Sequence, residues 1–149
     1  ARQMKLPDAN ILIYAVDQAA RSHATAKLWL ENSLNEIEQI GFAWPALIAF
    51  VRLSTKANFF AHPLTSGQAF DYVDEWLAQP NALIVSPTSQ HGIVLRKLLQ
   101  PLSTAGNLVP DAHLAALAIE HGATLYSFDN DFSRFQGIKW IDPSKPQRQ

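Results

Sequence analysis

A chain of 149 residues suits one domain with a sizeable core, and 48% hydrophobic against 17% charged residues marks a globular protein with apolar surface left over for a partner. A net charge of −1 excludes a global basic field, so any nucleic-acid substrate must be held by local cations and a metal. The chain has no cysteine, which excludes disulfides and thiol chemistry and suits a reducing cytoplasmic setting, and no apolar run is long enough to span a bilayer.

Ala1-Arg2-Gln3 reads as an added remnant ahead of a natural start at Met4. One domain is expected over 4–142, followed by a polar, Pro-containing tail at 143–149 that frays. Met4 to Pro7 reads as a first strand, and Asp8 stands at its end. A helix is expected over Ile11–Val16, with Asn10 serving as its cap or as a partner near an acidic site. Ser22–Leu34 has helical spacing, with Ala24, Leu28 and Leu34 among its apolar positions. Ile40–Trp44 reads as a strand, and Pro45 opens a helix from Ala46 toward Lys56. That helix carries Arg52, either a phosphate contact or a solvated cation.

The loop Asn58–Pro63 has adjacent Phe59 and Phe60, one of which has no route to the core. Thr65-Ser66-Gly67-Gln68 has capping-box spacing. The helix it opens sets Ala69, Phe70, Val73, Trp76 and Leu77 on an apolar face and Asp71, Asp74 and Glu75 on a solvated one. Ala82–Val85 reads as a buried strand. Thr88 or Ser89 caps the next helix, where Arg96 and Lys97 form the best local basic pair for RNA.

Leu108–Phe132 organises the chain. Pro110 suits a first helical turn, where its missing N–H costs nothing, and Asp111 beside it meets the positive end of the helix dipole. Leu114, Leu117, Ala118 and His121 give that helix an apolar face, and Gly122 is a left-handed stop. A strand over Thr124–Phe128 runs into Asp129-Asn130-Asp131, and Ile138–Ile141 reads as a last strand. Strands thus alternate with helices at least four times, which argues a parallel sheet covered on both faces.

In such a sheet, strand carboxyl ends and helix amino ends share one edge, so Asp111, Asp129 and Asp131 are expected to converge there. Singly, each reads better as a helix-start or turn residue. Asp8, a second strand-end acid, completes an oxygen-rich set that suits Mg²⁺ or Mn²⁺. The five histidines have no zinc spacing: His113 and His121 lie eight apart with no cysteine to join them. Gly-rich phosphate loops and Gly-x-Ser-x-Gly turns are lacking as well.

Leu6-Pro7-Asp8-Ala9-Asn10-Ile11-Leu12, Pro110-Asp111-Ala112-His113-Leu114 and Ser127-Phe128-Asp129-Asn130-Asp131-Phe132 resemble the acidic motifs of PIN-domain ribonucleases, in particular the toxin subunits of VapBC toxin–antitoxin pairs. The resemblance implies a three-layer α/β/α fold around a parallel sheet of four or five strands. It implies a Mg²⁺- or Mn²⁺-dependent endoribonuclease cutting RNA involved in translation, dimeric and neutralised by a small VapB-like antitoxin. Asp8, Asp111 and Asp129 would hold the metal, Asp131 would help, and Asn10, Ser127 and Arg52 would position the site or the RNA. One departure stands out: the family's usual Glu in the third helix falls on Ala49. The alternatives are a haloacid-dehalogenase-like phosphatase, for which Asn10 replaces the expected acid or Thr after Asp8, and a PIN fold kept as a binding module.

Overall fold

The computed structural model describes residues 3–146. The remnant reading of Ala1 and Arg2 and the tail reading of 147–149 lie outside the described residues. Five parallel strands form one sheet in the order β3-β2-β1-β4-β5. They are β1 (Met4–Pro7), β2 (Gln39–Phe42), β3 (Ala82–Ile84), β4 (Ala123–Tyr126) and β5 (Lys139–Ile141). The helices are α1 (Ala9–Val16), α2 (His23–Leu34), α3 (Trp44–Ser54), α4 (Ser66–Leu77), α5 (His91–Leu99) and α6 (Val109–Glu120).

From β1 the chain builds outward to β2 and β3, then returns through α5 and α6 to lay β4 on the other side of β1. Met4 pairs with both Gln39 and Ala123, so the order reverses between β1 and β4. That reversal opens a crevice beyond the strand ends, where ligands of open α/β sheets bind.

Strand side chains alternate between two cores. Leu6 and Leu125 enter a core under α5 and α6. Ile40 and Phe42 enter another with Leu12, Phe50, Val73 and Trp76, covered by α1 to α4. The expected α/β/α layering is therefore present.

Several local expectations shift. Asp8, not Asn10, caps α1, because its carboxylate accepts from the Ala9 N–H at 2.7 Å. β2 stops at Phe42, and Trp44 already belongs to α3 because Pro45 fits the first helical turn. α2 buries Ala26, Leu30 and Ser33, leaving Leu28 on its outer stripe. The capping box at Thr65 forms in full, but Phe70 lies outside the buried line of Ala69, Val73 and Trp76. Phe60 is buried and Phe59 exposed, as the paired-Phe loop requires. β3 is a sheet edge, so Ile84 is partly open rather than enclosed. No side-chain cap closes α5; instead the Thr88 hydroxyl accepts from the Gln90 N–H at its entry. α6 is buried nearly all round, from Ala112 and Leu114 to Ala118, rather than on one face. Gly122 takes φ +63° and ends it as expected.

Candidate metal centre

Four acids reach the sheet edge from three places. Asp8 leaves β1 and caps α1, and its N–H continues the ladder by donating to the Tyr126 carbonyl at 2.9 Å. Asp111 stands in the first turn of α6, half-buried. Asp129 follows β4 and accepts from the Asp131 N–H at 2.9 Å, which turns the chain into a short 3₁₀ segment, Asn130–Arg134. Asp111, Asp129 and Asp131 each offer a carboxylate oxygen, all within 4.8 Å of one another. Asp131, expected only as a helper, thus stands as close as the others. Asp8 lies outside that trio but close enough for its charge to act on Asp111.

Ser127 ties the set together. Its buried hydroxyl donates to Asp8 Oδ2 at 2.7 Å and accepts from the Asn10 amide and the Asp129 N–H, each at 3.0 Å. One donor and two acceptor positions are filled, which exhausts a hydroxyl. Ser127 therefore cannot touch a substrate; it positions Asp8 and Asp129. Asn10 is tied into the same network, since its carbonyl oxygen accepts from the Phe128 N–H at 3.3 Å, and one amide N–H of its two is left over. The Ser127 carbonyl is fixed in turn by the Trp140 indole at 3.0 Å.

Burial pushes the Asp8 carboxyl up; the bonds from Ser127 and Ala9 oppose this, and the charge of Asp129 adds to it. Asp111 is pushed up to about 6, first by burial and then by Asp8, Asp129 and Asp131. Crowded carboxylates without a counter-charge behave this way. The donor set is all oxygen, with three carboxylates close enough to share one ion, so it fits a hard divalent cation. Ala49 sits half-buried on α3 and supplies no donor. Arg52 is exposed at the end of α3, on another element from the four acids and without an ion pair among the described residues.

A second cluster escaped the sequence reading. His91 Nδ1 lies 2.5 Å from Glu120, and its Nε2 lies 3.0 Å from His113 Nδ1. Glu120 also accepts from the Thr88 N–H and hydroxyl, at 2.9 and 2.7 Å. Burial raises Glu120, but the bonds from Thr88 and His91 outweigh it and hold the carboxyl below its ordinary range. Burial, then His91, lowers His113. His113 and Glu120 are seven residues apart and so share a face of α6, which the sequence does show. Nothing local in the sequence brings His91 to them.

The chain is similar to known proteins over most of its length. The PIN-domain family profile matches residues 5–138. Ribonuclease VapC37 of Mycobacterium tuberculosis is 46% identical over 94% of this chain and 97% of its own. Ribonuclease VapC33 of the same species is 41% identical over 94% and 98%. Among solved structures, VapBC-1 from nontypeable Haemophilus influenzae matches with a TM-score of 0.65 at 17% identity, covering 96% of this chain and all of that one. The DNA-bound VapBC from Salmonella typhimurium matches with a TM-score of 0.66 at 16% identity, over 96% and 99%.

Proposed function

Because the chain belongs to the PIN-domain family, among its VapC ribonucleases, we propose that it is the RNA-cleaving toxin of a toxin–antitoxin pair and depends on Mg²⁺ or Mn²⁺. The observation that carries the metal dependence is the trio of carboxylate oxygens of Asp111, Asp129 and Asp131 within 4.8 Å of one another, with the Asp8 carboxyl beside them. A divalent ion bound there would supply charge to offset the phosphate oxygens and would lower the pKa of a water.

The chain's own residues set the geometry. Asp111, Asp129 and Asp131 would hold the ion, and Asp8 would join them or orient a water beside it. Ser127 and Asn10 keep Asp8 and Asp129 from swinging apart. The four acids do not need the family's Glu at Ala49 to make an all-oxygen site. Arg52 remains a candidate for RNA phosphate beyond the acids. The single domain over 4–142, a homodimer, a cytoplasmic location and a small VapB-like antitoxin belong to the same proposal, as do RNA targets involved in translation. Among the described residues no helix is long and apolar enough to cross a membrane.

The phosphatase reading fares worse. It needs an acid or Thr two residues after Asp8, and there the Asn10 amide is bonded at both ends to Ser127 and Phe128.

The test is cleavage of structured and unstructured RNA with Mg²⁺ or Mn²⁺, beside EDTA and Asp8→Asn controls. Metal-dependent cutting that disappears in both controls is expected. Cutting that persists in EDTA would overturn the metal role, and no cutting of any RNA together with no Mn²⁺ binding would return the binding-module reading.

A further inference from the structure

A cavity of about 520 Å³ opens where α5, α6 and the segment after Asp131 meet. Val94, Leu98, Pro101 and Ile119 give it an apolar floor, and Lys97 and Arg134 stand at its rim. Both cations are exposed, and neither is in an ion pair among the described residues. No acid lines the cavity. Other surface hollows differ in this respect: Glu31 and Glu75 line one, Glu36 another and Asp17 a third. Glu120, next to Ile119, is turned away to Thr88 and His91.

The cavity is joined to the acids by two elements. Arg134 ends the 3₁₀ segment that Asp131 begins. Ile119 lies eight residues beyond Asp111 on α6, about 12 Å along the helix axis. That is a few nucleotides of extended strand. A polyanion held at the acids by a metal therefore has a neighbouring place where two free cations meet phosphate and an apolar floor meets a base.

We infer that this cavity is a subsite for single-stranded RNA, holding a nucleotide a short way along the strand from the scissile phosphate, with Lys97 and Arg134 on the backbone and Ile119, Leu98 and Val94 under the base. The inference rests on the ribonuclease reading. It also gives Lys97 a partner that its pairing with Arg96 in sequence does not, since only Lys97 of the two lines the cavity.

The experiment measures binding of end-labelled single-stranded RNA oligonucleotides of increasing length, phosphorothioate-linked to resist cutting, by fluorescence anisotropy in Mn²⁺ so that the acids keep their ion, across a series of salt concentrations. Wild-type protein is compared with the Lys97→Gln/Arg134→Gln double variant and the charge-keeping Lys97→Arg/Arg134→Lys variant. Both changes are at exposed positions, and Mn²⁺-dependent cutting of RNA by the wild type is run alongside.

For the wild type, affinity is expected to rise with length until the oligonucleotide reaches the cavity. The Gln variant loses that gain and the slope of log affinity against log salt shrinks by about 1.4, two phosphate contacts on a single strand. The charge-keeping variant restores both. If the wild type cuts RNA while the Gln variant keeps the full affinity and slope, the subsite is overturned, the ribonuclease reading stands, and the cavity is left to a protein partner. If the wild type neither cuts nor binds any RNA, both readings fall together.

Discussion

The Ser127 hydroxyl stands 2.7 Å from the Asp8 carboxylate, across 119 positions of chain. It is buried, and it bonds Asn10 and the Asp129 backbone as well. Removing it leaves the Asp8 carboxylate without this donor and the Asn10 amide and Asp129 N–H without this acceptor. Ser127→Ala is expected to cost about 1–3 kcal/mol of stability, read by urea unfolding, and to weaken Mn²⁺ binding in a calorimetric titration. Unchanged values in both would show that Ser127 merely fills space.

The four acids differ in what they should cost. Asp111→Asn and Asp129→Asn are each expected to cut metal-dependent RNA cleavage by about a hundredfold or more. Neither should lower the stability of metal-free protein, because each relieves repulsion. Residual cleavage within a few-fold of wild type in either variant would remove that acid from the site.

The pH dependence of Asp111 has a definite sign. Its folded pKa of about 6 lies above the ordinary 3.8, so the folded state resists ionising it. Stability of metal-free protein is therefore favoured below 3.8 and falls as pH rises toward about 6. Thermal unfolding of the wild type should show this fall and Asp111→Asn should show less of it, with Mn²⁺ restoring only the wild type. Parallel curves for the two proteins would contradict the assignment.

Glu120 has the opposite sign. Its carboxyl is held below the ordinary 4.5 by Thr88 and His91 against the pull of burial, so its contribution is present above 4.5 and fades as pH falls through the lowered folded value. The stability gap between wild type and Glu120→Gln should be full near neutrality and close in acid. A gap that ignores pH would mean that packing, not charge, holds this cluster.

Gly41 is a steric test of the sheet. A Cβ there would stand 2.8 Å from the Val85 side chain and 3.0 Å from Met4 sulfur. Gly41→Ala is expected to destabilise by about 1–3 kcal/mol, and Gly41→Ala/Val85→Ala should recover part of that loss in chemical unfolding.

Much of the sheet edge was legible because its signals are local. Pro7 and Asp8 end β1, Pro110 and Asp111 open α6, and Gly122 with its left-handed φ separates α6 from β4. Those features need only neighbours a few residues away, and the parallel topology then brings the acids to one edge. Which acids pack closest was not legible, since Asp131 is placed by the turn that Asp129 makes. Burial at the margins also failed: Phe70, Leu28 and Ile84 are apolar by type, but edge position and helix rotation decide their exposure. The link between His91 and Glu120 spans 29 positions and crosses two helices, so no periodicity could announce it.

The adjacency of β1 and β4 sets when the acids can act during synthesis. Asp8 is made well before the other three acids, which come only after residue 110. Until β4 has left the ribosome, β1 lacks its neighbour, Asp8 lacks Ser127, and no cluster of carboxylates exists. On the ribonuclease reading, a nascent chain that ends before Asp129 would carry no assembled trio of acids.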